Sequence, residues 1–299
     1  MADISPQGSS RPATAGNSRT SQKGGRRGSV GSIVADTGTS ESIGVFARFK
    51  PIKAHEERGE VEVSKRFGEQ KSVTIKNLEF SLDWIFDTDS TQDSIFDIAA
   101  ADRVDALLAG YNATLMAYGQ TGSGKTHTMF GPDEVLVDFK ACDPAHYGLV
   151  PRAAIRLFEG VEARTSDSTF IVQCSYLEVY NDRLNDLLGR QQDLRMRELG
   201  GGKGISVEGL TMEVVTSVEE VMSALKRGQD QRVVAPMAMN ARSSRGHGIF
   251  TIYLKEMMAS GPERHAKLNL VDLAGMRSMV KVAVLVRPQL ATGSSSGCI

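Results

Sequence analysis

One eight-residue stretch constrains this chain more than any other. Gly119-Gln120-Thr121-Gly122-Ser123-Gly124-Lys125-Thr126 satisfies the pattern GxxxxGKS/T at every fixed position. Thr114-Leu115-Met116-Ala117-Tyr118 before it reads as a buried strand, and Lys125 to Met129 can open a helix. A strand, a glycine loop and a helix in that order make a phosphate cradle. The glycines allow positive φ and close backbone approach. Successive N–H groups then converge on one concavity, and the helix start adds its positive end. Lys125 brings a point charge to the β/γ-phosphates, and the Thr126 hydroxyl would ligate Mg²⁺. The competing reading is a glycine-rich turn with no ligand.

Such a loop hydrolyses nothing alone. Hydrolysis needs a second carboxylate for magnesium and loops that sense the γ-phosphate. Leu268-Asn269-Leu270-Val271-Asp272 is an apolar strand ending in an acid, and Asp272-Leu273-Ala274-Gly275 has the form DxxG. Asp272 would hold Mg²⁺ through water, and the Gly275 N–H could meet the γ-phosphate.

The rest of the chain interleaves strand and helix patterns. Ile43 to Phe49 reads as a strand ended by Pro51, with short strands at Lys71–Ile75 and Leu78–Trp84. Ser90 and Asp93 resemble a capping box before a helix carrying Ile95, Ala99, Val104, Leu107 and Leu108, stopped at Gly110. Residues 131–148 read as a surface loop, and Pro151–Val161 as a short helix. Thr169–Tyr180 is apolar on both faces, as a central strand is. Gly200 to Gly204 reads as a hairpin turn rather than a second phosphate loop, since no strand precedes it and no helix follows. Ser217 and Glu220 cap a helix with Val218, Val221, Met222 and Leu225 on one stripe and Gly228 as its stop. Ile249–Leu254 and Leu268–Val271 are further strands. This alternation predicts an α/β sheet with helices on both faces.

Lys plus Arg is 35 and Asp plus Glu is 36, a net charge of −1. That balance argues against a protein that coats nucleic acid. No apolar run is long enough to cross a membrane as a helix. Cys142, Cys174 and Cys298 form no CxxC pair and suit a reducing compartment, with Cys174 a core residue. Residues 1–32 carry five basic side chains and one acid, with Ile4 and Val30 their only branched apolar residues. Faintly like a transit peptide, this segment is better read as a disordered basic tail, since no amphipathic face can form.

Asn240-Ala241-Arg242-Ser243-Ser244-Arg245-Gly246-His247 resembles the switch I motif NxxSSRSH of kinesin motor heads. Ala117 to Met129 and Asp272 to Gly275 resemble the phosphate loop and switch II of the same family. Arg48-Phe49-Lys50-Pro51 looks like RFRP, Gly110 to Thr114 like GYNGT, and Ser175 to Asp182 like SYLEIYNE. The resemblance runs from about Ile43 to Gly275. It implies a P-loop NTPase fold with a central, mostly parallel mixed sheet, MgATP or MgADP as ligand, and a microtubule-stimulated ATPase. It also implies a cytoplasmic, microtubule-associated location, with tubulin rather than nucleic acid or membrane as partner. Arg48, Pro51 and His127 would border the adenine, though His127 could equally be a plain helix residue. Gln120, Thr121, Gly122, Ser123, Gly124, Lys125 and Thr126 would wrap the phosphates. Ser243 and Ser244 would close over the γ-phosphate and Mg²⁺, with Asn240 holding that loop and Arg245 facing switch II. Magnesium would be held by Thr126, Ser244 and Asp272, and Gly275 would sense the γ-phosphate. Oligomeric state is not legible.

The chain also departs from the pattern. Where the family reads DLAGSE, Met276 and Arg277 follow Gly275. The family's acid pairs with the switch I arginine, so Arg277 would face Arg245. Two cations at about 4 Å repel by roughly 1 kcal/mol in water. Gly246 replaces the third serine and Gly248 follows His247, both read as loosening the loop. Nothing after Arg277 resembles the family. The expected organisation is therefore a tail over 1–41, an incomplete motor core over 42–276 and an unrelated segment over 277–299. Val280 to Val286 is a β-branched run that would fill the interior slot between the first strand and the strand before the phosphate loop. A motor head is the first expectation and a nucleotide-binding, non-motile head the alternative.

Overall fold

The structure, a computed structural model, describes residues 43–51, 61–64, 71–75, 78–165, 168–200, 204–234, 246–258, 261, 263–275 and 282–287. The chain opens with β1 (Gly44–Phe49), β2 (Val61–Ser64), β3 (Lys71–Ile75), β4 (Leu78–Leu82) and β5 (Trp84–Phe86). Helices α1 (Gln92–Ala99) and α2 (Ala101–Leu108) lead into β6 (Ala113–Tyr118). After it come α3 (Lys125–Phe130), α4 (Asp133–Val137), a 3-10 turn at Pro144–His146 and α5 (Leu149–Glu162). Strands β7 (Ser168–Tyr180), β8 (Arg183–Asp186), β9 (Met196–Leu199), β10 (Gly204–Val207) and β11 (Glu213–Val214) precede α6 (Val218–Val234). The last described strands are β12 (His247–Met258), β13 (Arg264–Asp272) and β14 (Val282–Arg287).

Three local expectations change. The single helix after Ser90 is two, broken where Ala100 sits at φ −133°. Its cap is Thr91, whose Oγ1 accepts from Ser94 N at 3.2 Å, while Ser90 bonds Asp87 instead. Residues 131–148 hold α4 and the 3-10 turn rather than a plain loop. Helix α6 runs straight through Gly228. A Cβ at Gly228 would lie 2.2 Å from Tyr176 Cδ1, so this glycine lets α6 approach β7 and does not end the helix.

The main sheet has the order β11-β7-β12-β13-β6-β14-β1-β5, with β8 paired to β7. It is mixed: β1, β5, β6, β7 and β13 point one way, and β8, β11, β12 and β14 run against them. The majority share one direction, but the opposing strands are interleaved, so most neighbouring pairs are antiparallel. Strand β14 lies between β1 and β6, antiparallel to both, with Leu285 opposite Phe46 on one side and Ala117 on the other. Residues 280 and 281 of the expected run lie outside the described residues.

Helices were expected on both faces; the described helices cover one. They touch in an unbroken series, α1 to α2, α2 to α5, α5 to α3 and α6, and α6 to α4. Chain direction explains the single layer. The crossovers β5 to β6 and β6 to β7 step the same way across the sheet, between strands of one direction. The crossover β11 to β12 steps back between strands of the other direction. Right-handed connections of these senses all place their helices on one face. On that face Leu115, Phe250, Ile252, Leu268 and Leu270 are buried against Leu107, Leu157 and Leu225. Each such side chain contributes about 1.5–3 kcal/mol. On the other face Thr114, Met116, Ile249, Tyr253 and Asn269 are only half-buried. Cys174 is buried in this core, and burial pushes its thiol up to about 12, so it is inert packing.

Candidate functional site

The site forms where β6 and β13, parallel neighbours, end side by side. Asp272 pairs with Ala117 across this join, and Leu273 N donates to the Ala117 carbonyl at 3.2 Å. The chain after β6 turns through Gly122 at φ +77° and Gly124 at φ +98°, then enters α3 at Lys125. No atom lies within 4 Å of a Cβ built at either glycine, so glycine serves backbone conformation there, not space.

Lys125 is buried, and its ammonium donates to the carbonyls of Gly119 and Gln120 at 3.0 Å each. Burial lowers its pKa, with Asp272 opposing that shift. The Thr126 hydroxyl donates to Asp272 Oδ2 at 3.1 Å. Asp272 is buried, and that burial raises its pKa, opposed chiefly by Arg232. Gly275 is pressed onto the loop: a Cβ there would fall 2.0 Å from Thr121 Oγ1. Ala274 N donates to His247 Nδ1 at 3.1 Å, so His247 braces the turn after β13. A cleft of about 560 Å³ opens here, lined by Thr121, Gly122, Lys125, Thr126, Asp272 and Gly275 on the loop side. Its opposite side is α4 and α6.

The residues fit a magnesium nucleotide. Asp272 Oδ1, Ser123 Oγ and Gln120 Oε1 are buried oxygens without a hydrogen-bond partner. A hydroxyl and a carboxylate side by side offer hard oxygen ligands of the kind Mg²⁺ takes with phosphate and water. Among the described residues no three His, Cys, Asp or Glu side chains cluster as an all-protein metal cage.

Arg48 sits at the end of β1, donating to Gln92 Oε1 at 2.9 Å and to Thr128 Oγ1 at 2.8 Å. Gln92 Nε2 donates to the His127 carbonyl at 2.8 Å. Arg48 thus ties α1 and α3 together, and burial lowers its pKa to about 10. His127 is kept below the usual histidine range by burial, then by Arg48 and His146. Pro51 is exposed just past β1. Asn240, Ser243, Ser244, Arg245 and Arg277 lie outside the described residues.

Sequence reasoning passed over Arg232. It lies in the last turn of α6 and is fully buried. It faces Glu178 and Asp272, with Nη2 donating to the Gly246 carbonyl at 2.9 Å. A signal was present: position 232 is seven residues beyond Leu225 on the apolar stripe, where a charge is out of place. Gln92, the anchor of Arg48, carried no such signal.

The kinesin motor domain model matches residues 46–285. This chain belongs to the kinesin motor domain family. Kinesin-related protein 5 of Dictyostelium discoideum is 38% identical over 247 residues, covering 81% of this chain and 24% of that protein. Kinesin heavy chain of Neurospora crassa is 35% identical over 248 residues, covering 81% of this chain and 26% of that one. The chain thus spans about a quarter of the length of these curated kinesins. A solved structure described as a fast kinesin, with implications for ATPase mechanism and interactions with microtubules, is 34% identical with a TM-score of 0.68. It covers 84% of this chain and 68% of its own. The kinesin match reaches residue 285, past Gly275 and into β14.

Proposed function

We infer that this chain is a kinesin-type motor head that binds MgATP and couples its hydrolysis to microtubule binding and movement. The 3.1 Å approach of Thr126 to Asp272 carries the reading, because it brings two of the three expected magnesium ligands to the mouth of one glycine loop. Gln120 to Thr126 bind the phosphates, and Lys125 neutralises them. Thr126, Asp272 and Ser244 hold magnesium, which when bound neutralises charge on the β/γ oxygens. Arg48, Pro51 and His127 border the base. Asn240, Ser243, Ser244 and Arg245 order over the γ-phosphate, and Gly275 senses it from the other side. The partner is the microtubule, in the cytoplasm, with no role for nucleic acid or membrane. In this reading residues 1–41 are a basic tail, 42–276 the motor core, and 277–299 a further segment whose strand β14 completes the sheet between β1 and β6.

Phosphate release by the 299-residue chain, with and without microtubules, tests the coupling. Stimulation by microtubules is expected. A second reading, a nucleotide-binding head without motility, draws on Arg277 at the position of the family's switch II acid. Bound ADP without any stimulation would select it, and absence of ADP binding would reject both.

A further inference from the structure

A hydrogen-bonded bracket joins β1, α1 and α3 beside the phosphate loop. Arg48 Nη1, near the end of β1, donates both to Gln92 Oε1 at 2.9 Å and to Thr128 Oγ1 at 2.8 Å. Gln92 is the first residue of α1, just past the Thr91 cap, and it is buried. Its Nε2 donates to the His127 carbonyl at 2.8 Å, a group that also accepts from Gly131 N at 2.9 Å where α3 ends. One side-chain amide thus accepts from Arg48 and donates to the backbone of His127. Only this orientation of the amide satisfies both neighbours, because a guanidinium has no acceptor and a carbonyl has no donor. Thr128 is fully buried, and its hydroxyl donates in turn to the Gly124 carbonyl at 2.8 Å. The bracket therefore runs from α1 through Arg48 to the loop that would hold the phosphates.

Gln92 and Thr128 both meet Arg48 with neutral oxygens, so they orient the guanidinium without cancelling its charge. A planar cation held in one orientation is suited to lie against an aromatic face, and a purine ring offers one. A buried amide at the first position of α1 does nothing for the helix that an apolar residue could not do. Its two hydrogen bonds both lead to residues on the base side of the cleft.

We propose that Gln92 is a positioning residue for the purine base: it locks the Arg48 guanidinium and the backbone of His127 in one mutual arrangement, so that the two meet the base as a preformed pair. This rests on Arg48 and His127 bordering the base. The test compares MgADP with magnesium pyrophosphate, a diphosphate without the nucleoside, in competition against fluorescent ADP on the full 299-residue chain. Gln92→Met should lower MgADP affinity about tenfold and leave pyrophosphate affinity unchanged. Gln92→Glu keeps an acceptor for Arg48, yet it should also lose base preference, because its charge offsets the guanidinium and repels the His127 carbonyl. Arg48→Ala should show a loss of the same size, and adding Gln92→Met to it should cost little further. If Gln92→Met does not unfold cooperatively, Thr128→Val carries the test, since it keeps the shape and removes the second acceptor; its loss should be smaller and again confined to MgADP. An unchanged ratio of the two affinities in the folded Gln92 and Thr128 variants overturns the proposal, whether neither ligand is lost or both are lost alike. Additive losses in the double variant do so too, since Gln92 would then act without Arg48. Should Arg48→Ala itself leave the ratio unchanged, the base-side reading of Arg48 falls, and the proposal with it.

Discussion

One wall of the cleft, Gly119 to Thr126, is built from neighbours in sequence. The second wall is backed by an ionic cluster that draws Tyr176, Glu178, Arg232, Gly248 and Asp272 from β7, α6, β12 and β13, with Arg232 and Asp272 reaching the cleft. The first wall depends on backbone dihedrals, which two glycines set locally. The second depends on register and helix approach, so it exists only once the sheet has formed. The phosphate loop should therefore fail through binding with little change in stability. The ionic cluster should fail through stability.

The largest expected effect is on the local wall. Lys125→Ala removes charge-assisted hydrogen bonds to phosphate worth about 3 kcal/mol in sum, so ADP affinity should fall roughly 100-fold. Fluorescence titration measures this, and urea unfolding should show stability nearly unchanged. A large loss of stability without a loss of affinity would contradict the division of the two walls. The next effect is on the long-range wall. Gly228→Ala drives a methyl to 2.2 Å from Tyr176 Cδ1 and should cost about 1–3 kcal/mol in urea unfolding. In an exposed helix the same change would stabilise by about 1 kcal/mol. Stabilisation here would mean that α6 does not bear on β7 as described.

The same division explains what could be read from sequence. The loop, the strand ending at Asp272 and the DxxG glycine were legible because each is a contiguous pattern with one backbone solution. Gly228 misled because a glycine near the end of an apolar stripe usually stops a helix, and only the closeness of Tyr176 shows otherwise. Arg232 went unused because its partners lie 54 residues before it and 40 after it. Gly248 makes sense only beside Arg232, since a Cβ there would stand 2.9 Å from Nη1, which nothing in its own neighbourhood indicates. The role of His247 is likewise set by a distant partner, since it accepts from Ala274 N across the end of β13.

A smaller effect should follow at the glycines of the local wall. Gly124→Ala forces an L-residue to φ +98°, a strain of about 1–2 kcal/mol. Part of it should appear as weaker ADP binding, because relaxing the strain moves the amides of the loop. Stability should fall by no more than that strain. An alanine that left affinity and stability intact would show that the left-handed turn is dispensable.

The smallest effect contrasts an exposed ion pair with the buried one. Arg156 on α5 donates from Nε and Nη2 to both carboxylate oxygens of Asp105 on α2, each at 2.7 Å. The side chains are 42% and 52% exposed, so solvent screens the pair to about 0.5 kcal/mol. Arg156 holds the Asp105 pKa below its ordinary value of 3.8. A carboxylate depressed in the folded state stabilises above its unfolded pKa and loses that contribution as pH falls through the folded one. Asp105→Asn should therefore cost about 0.5 kcal/mol at neutral pH, less in high salt, and almost nothing in strong acid. A cost that persisted in acid would have to come from packing between α2 and α5 rather than from charge. That outcome would erase the contrast with Arg232, where burial rather than solvent sets the strength of the pair.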